Sequence, residues 1–151
     1  MKKLITRQKI AENTKMANQY KQLEAMLNVL EARNLPQETT DFINQEIERL
    51  NAIADADKSF ARTIKNTENK ILRYVEKKHK IVPQKYYAKL WLVLGMSAFG
   101  IPLGVAYGLV MKNMGLLGIG LPIGMGVGAA FGTYLDKKAL NEGRQLDIEI
   151  K

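Results

Sequence analysis

The chain has 151 residues, 23 Lys and Arg against 15 Asp and Glu, no cysteine and one histidine. Disulfide staples, thiol nucleophiles and cysteine-ligated metals are therefore excluded, and His79, set in Lys77-Lys78-His79-Lys80, is a poor basis for a Ser-His-Asp relay or a histidine-rich metal site. Eleven of the twelve glycines fall between Gly95 and Gly132, so two physically different parts are joined.

The N-terminus, Met1-Lys2-Lys3-Leu4-Ile5-Thr6-Arg7, has the charge of a signal peptide without its apolar core, and no cleavable export signal is expected. Residues 3–32 then follow the pattern of an amphipathic helix. Met16, Tyr20, Leu23, Leu27 and Leu30 alternate in steps of four and three, the seam of a coiled coil. Leu4, Ile5 and Ile10 lie off that stripe, which predicts an end that frays or touches the membrane. Asn34-Leu35-Pro36 breaks the helix, Asn34 suiting a left-handed helix end and Pro36 a first turn. A second helix, continuous from Pro36 to Lys80, carries Ile43, Ile47, Leu50, Ala54, Asp57, Ala61, Ile64, Glu68, Ile71 and Val75 on one seam. Its two acids predict either a loose, partly wet seam or pairing with basic residues of a partner helix. At 1.5 Å per residue the second helix would outrun the first by about 20 Å, leaving its final third free for a neighbour. Pro83 ends it, Val82 is extended, and residues 83–89 form an elbow at the bilayer surface.

Between Leu90 and Leu135 the only charge is Lys112. Residues 90–111 and 114–135 each match a hydrocarbon core of about 30 Å as helices. Joined by Lys112-Asn113, they must run antiparallel. Seven Lys and Arg lie in the 20 residues before the first span and four follow the second, which places both termini in the cytoplasm. Lys85, Tyr86, Tyr87, Lys89, Trp91, Tyr134, Lys137 and Lys138 are the expected interfacial anchors. The basic surplus beside the bilayer points to anionic headgroups rather than nucleic acid.

The glycines have a register. Gly100, Gly104 and Gly108 in the first span, and Gly120, Gly124, Gly128 and Gly132 in the second, recur every four residues and so share a helix face. In lipid, such faces let backbones approach and pack. Gly126 lies on the opposite side, so the second span is small on two sides and suited to pack between two neighbours. A shift of 20 residues aligns Gly100-Ile101-Pro102-Leu103-Gly104 with Gly120-Leu121-Pro122-Ile123-Gly124 and pairs Gly95 with Gly115, which predicts a pseudo-two-fold relation. Pro102 and Pro122 should kink their spans unless neighbours compensate.

The run Gly124-Met125-Gly126-Val127-Gly128 fails as a nucleotide loop, having no following Lys-Ser/Thr and no preceding strand. The glycine-rich hairpin resembles the rotor-ring subunits of ATP synthases, but their intramembrane carboxylate has no counterpart, because Asp136 falls past the second span. A closer resemblance, over about Tyr86 to Leu146, is to small bacterial membrane proteins with glycine-zipper hairpins, carried by Gly100-x-Pro102-x-Gly104 and by Gly120-x-Pro122-x-Gly124-x-x-x-Gly128-x-x-x-Gly132 before Asp136-Lys137-Lys138. It implies membrane location and helix packing, and no activity.

The sequence thus predicts an all-α protein of the bacterial inner membrane: a cytoplasmic helical hairpin or coiled coil (1–82), the elbow (83–89), an antiparallel two-helix transmembrane hairpin (90–135) and a cytoplasmic tail (136–151). It is expected to be no enzyme, to hold no cofactor or metal, to form a homo-oligomer, and to act as a scaffold or to bind a cytoplasmic protein through the coiled coil. A small channel or holin-like pore is the alternative.

Overall fold

The computed structural model describes residues 1–7, 14–54, 59–113, 115 and 117–150. Among them the order is α1 (Thr14–Glu31), α2 (Gln37–Asn51), α3 (Phe60–His79), β1 (Val82–Gln84), α4 (Tyr86–Gly95), a π-helical turn (Met96–Gly100), α5 (Ile101–Val110), α6 (Leu117–Asn141) and β2 (Gln145–Glu149). The chain divides into two compact units, one of Met1–Val82 with Leu146–Ile150 and one of Pro83–Gln145.

In the first unit α3 packs against both α1 and α2. The core is made of the residues that the four-and-three spacing selects: Tyr20, Leu23, Leu27 and Leu30 of α1, Ile43, Ile47 and Leu50 of α2, and Ile64, Ile71 and Val75 of α3 are buried. Phe60, Met26 and Leu72 join them.

The long second helix is instead two. α2 ends at Asn51, so the expected seam residue Ala54 is exposed, while Asp57 lies outside the described residues. No Gly or Pro marks this break. Arg7 caps this end: its guanidinium donates to the carbonyls of Leu50 (3.1 Å), Asn51 (2.9 Å) and Ile53 (2.6 Å), in the last turn where helix carbonyls lack their usual amide partners. The same guanidinium lies 4.5 Å from the centre of the Phe60 ring.

Residues 1–7 are not helical. Met1 and Leu4 pack against the core of this unit, the Lys2 amide donates to Asn44 (2.7 Å), and Lys2 pairs with Glu48. The Tyr20 hydroxyl donates to the Ile5 carbonyl at 2.7 Å. The segment is therefore held by α1 and α2, which corrects the expectation of a frayed, membrane-touching end; Ile10 lies outside the described residues.

Glu68 is buried, and its partners belong to the chain: Lys65, one turn earlier in α3, at 2.6 Å, and the Gln22 amide of α1 at 2.7 Å. Glu46 is buried in the same manner, with Arg49 at 2.6 Å and Lys70 at 3.3 Å. On the exposed side the Lys78 ammonium bonds Glu38 and holds its carboxyl below the usual carboxylate range.

α3 ends with Lys80 in the left-handed conformation (φ 58°), and Val82 is in β1. β1 pairs with β2 in a two-stranded sheet, so the fold is not all helical. Leu146 of β2 is buried in the same core cluster as Ile71, Leu72 and Val75, with Ile148 and Ile150 packed against it. The last third of the seam, expected to be free for a neighbour, is thus buried within the chain, in a core cluster that the C-terminal strand joins through Leu146.

In the second unit the helical stretches 86–110 and 118–141 are long and apolar enough to cross a membrane. They outrun the uncharged segments by about a turn at the charged ends, taking in Lys89 on one side and Asp136, Lys137 and Lys138 on the other.

Candidate functional site: the glycine interface and its carboxylate cap

The second unit inverts the burial of the first. In α4 to α5 the buried residues are Gly95, Gly100, Gly104 and Gly108. In α6 they are Gly120, Gly124, Gly128, Gly132, Asp136 and Ala139. Large apolar side chains face outward.

The two glycine faces meet backbone to backbone. A Cβ at Gly132 would stand 2.5 Å from the Tyr87 carbonyl oxygen; one at Gly128 would strike the Trp91 carbonyl and come within 3.0 Å of the Gly95 Cα. At Gly124 it would stand 2.5 Å from both the Gly100 nitrogen and the Gly95 oxygen, and at Gly120 2.6 Å from the Gly104 Cα. The contacts descend along α6 as they ascend from α4 to α5. No side chain larger than hydrogen fits at these four positions unless backbone moves.

Gly120 meets Gly100 and Gly104 while Gly124 meets Gly100, a pattern that survives exchange of residues 20 apart. The exchange stops there. Gly95 is packed against Gly124 and Gly128, whereas Gly115 is exposed with only the Asn113 side chain nearby. The repeat therefore relates the centre of the interface and not its ends.

One feature of the first helix carries the register past an irregular step. Gly95 and Gly100 are five residues apart, not four, and on a regular helix the fifth residue would turn away from the shared face. The π-helical turn Met96–Gly100 lies between them, with the Ile101 amide donating to the Met96 carbonyl five residues back. A π turn admits that extra residue. It also precedes Pro102, which sits in the first turn of α5 and has no amide hydrogen to donate. Pro122 lies inside α6, which continues through it.

Asp136 continues the four-residue step from Gly132 and faces the start of α4. Its carboxylate accepts from the amides of Tyr87 (3.0 Å) and Ala88 (2.9 Å), the second and third residues of that helix. The residue just before α4 is Lys85, in the left-handed conformation, whose side chain cannot accept a bond. The cap that Asp or Ser ordinarily gives its own helix is supplied here by a carboxylate 49 positions away in sequence. The sequence held the signal, since Asp136 is the next step after Gly120, Gly124, Gly128 and Gly132.

The aromatic residues expected as interfacial anchors lie within this unit. The Trp91 and Phe131 rings meet edge to face at 4.4 Å, Tyr86 and Tyr87 at 5.3 Å, and Tyr134 is exposed. Lys85, Lys89, Lys137 and Lys138 are exposed beside them. Among the described residues no group of three or more His, Asp or Glu is gathered as a metal ion would need.

No protein-family profile matches the chain, and no curated protein or solved structure is similar to it. What the structure defines is a mostly helical protein with two helices long and apolar enough to cross a membrane.

Proposed function

We propose that the chain is a two-span protein of a bacterial inner membrane, with a transmembrane hairpin of antiparallel helices and both termini cytoplasmic, of the glycine-zipper kind, that self-associates and scaffolds a cytoplasmic partner. The inverted burial of residues 83–145 carries this reading. Among the described residues, 17 of the 18 exposed large hydrophobic side chains lie between Leu90 and Leu140. An apolar surface of that extent is unsuited to water. In a bilayer it is matched to its solvent, and the small residues inside let helices approach where hydrophobic driving force is absent. The arginines and lysines beside the two open ends support cytoplasmic termini and contact with anionic headgroups.

Self-association is supported by the outer face of α6, where Gly118, Pro122, Gly126 and Ala130 are exposed and a Cβ at Gly118 or Gly126 would meet nothing. The inner glycines are already filled by backbone, which favours a scaffold over a pore lined by them. The seams of α1 to α3 are likewise filled within the chain, so a cytoplasmic partner would be held by the charged exterior of that unit.

Light scattering of the detergent-solubilised chain tests the scaffold reading. Wild type is expected to be oligomeric, and Gly126→Leu to shift the population to monomer with helix content unchanged. A monomeric wild type, or an oligomer indifferent to Gly126→Leu, contradicts it.

A further inference from the structure

A groove of about 330 Å³ lies between α2 and α3, where Thr67 lines it together with Arg49, Asn66, Asn69, Lys70 and Arg73. We propose that it binds a phosphate monoester, with Arg73 and Lys70 on the phosphate oxygens, the Thr67 hydroxyl donating to one of them, and Asn66 and Asn69 against the rest of the molecule.

Thr67 is the residue that points to a ligand. Five polar or charged residues are buried among the described residues, and four have partners in the chain: Thr39 meets His79, Glu46 meets Arg49 and Lys70, Glu68 meets Lys65 and Gln22, and Asp136 caps α4. Thr67, 4% exposed, has none. A hydroxyl taken from water without a replacement bond is destabilising. A helical threonine ordinarily relieves this by donating to the carbonyl one turn back, as Thr63 does to Ser59 at 3.1 Å. Thr67 makes no such bond, and its oxygen is not sealed from solvent, so the hydroxyl opens into the groove that the residue lines.

The charge around that hydroxyl selects the ligand. Arg49, Lys70 and Arg73 share one carboxylate, Glu46, whose two oxygens are taken by Arg49 (2.6 Å) and Lys70 (3.3 Å). Among the described residues Arg73 has no carboxylate of its own. Two positive charges are left over. A phosphate monoester brings about −1.5 to −2 near neutral pH and three acceptor oxygens, whereas a carboxylate or a phosphodiester brings a single charge. The planar fork of Arg73 suits such oxygens. Asn66 and Asn69 are exposed and make no hydrogen bond among the described residues, which leaves their amides available to hydroxyl or ring atoms of the esterified portion.

The groove lies within the first compact unit, so the site does not depend on the membrane reading. Isothermal titration calorimetry of the detergent-solubilised full chain tests it, with adenosine 5′-monophosphate, adenosine, cyclic adenosine monophosphate, dihexanoyl phosphatidate and inorganic phosphate as titrants. One monoester per chain is expected to bind, roughly tenfold more tightly than adenosine, the cyclic diester or inorganic phosphate. Preference for adenosine 5′-monophosphate over phosphatidate assigns the site to a soluble ligand, and the reverse assigns it to a lipid headgroup. Arg73→Gln is expected to weaken the monoester roughly tenfold. Thr67→Val keeps the side-chain shape and removes the hydroxyl; it should weaken binding about fivefold while helix content and unfolding midpoint stay unchanged, which a merely structural hydroxyl would not do. Lys15→Gln with Lys21→Gln, on α1, should retain full affinity. Failure of both monoesters to bind, equal affinity for adenosine or the cyclic diester, or unchanged affinity in Arg73→Gln or Thr67→Val would overturn the proposal. So would inorganic phosphate binding as tightly as the esters, the mark of an adventitious ion only.

Discussion

Gly128→Ala is expected to destabilise the second unit by about 2 kcal/mol, while Gly126→Ala, two residues away, leaves it unchanged or raises its stability by up to about 1 kcal/mol. The added methyl at Gly128 strikes the Trp91 carbonyl and crowds the Gly95 Cα, both backbone, so a helix must move bodily. Overpacking of that kind costs about 1–3 kcal/mol, from which the better helix propensity of alanine recovers about 1 kcal/mol at most. At Gly126 a Cβ meets nothing within the chain, so in the separated chain only the propensity gain operates. Trp91, the chain's single tryptophan, is packed on Phe131 and reports the separation of the helices directly. Unfolding in mixed micelles by added SDS, followed by its fluorescence, gives both values. Equal effects at the two positions would mean that the glycine face is not the contact.

The second large effect is expected at Asp136. Asp136→Ala leaves the Tyr87 and Ala88 amides without their acceptor at a residue that is only 7% exposed. Hydrogen bonds to a charged group are worth about 1.5–3 kcal/mol each, and their losses at one carboxylate are not additive. We expect a loss of about 2–3 kcal/mol for Ala. Asp136→Asn keeps one acceptor oxygen and should lose about half as much. The same SDS titration measures this, and amide exchange at Tyr87 and Ala88 should accelerate alongside. A cost under about 0.5 kcal/mol, the range of an unremarkable surface change, would show that Asp136 merely flanks the helix.

Periodicity made much of this structure legible. Steps of four and three identified the buried positions of α1, α2 and α3, because core selection acts on spacing whether two helices or three result. It could not reveal the end of α2, where no Gly or Pro stands and the carbonyls are bonded by Arg7, some 45 positions earlier. Nor could it reveal that Leu146 joins the core of the first unit, because strand pairing and long-range burial leave no local pattern in a five-residue strand. In the second unit the four-residue glycine steps coincide with the positions buried between the helices. Gly95 escaped that count because it stands five residues before Gly100, and only a π turn keeps both on one face. Asp136 falls beyond the uncharged span, and its position in the same four-residue step is what aims it at α4. A polar residue at the end of a small-residue stripe is thus worth testing as a cap for the neighbouring helix.

In the proposed topology the two apolar helices cross a bilayer and return, leaving residues 1–82 and both termini on one side. The chain has no cysteine, so single cysteines can be introduced without background. Asn113→Cys, in the turn between α5 and α6, and Gln37→Cys, at the start of α2, are exposed to a membrane-impermeant maleimide applied to intact cells and then to lysed ones. Position 113 is expected to be labelled from outside and position 37 only after lysis. Labelling of both only after lysis, or of position 37 from outside, would contradict it.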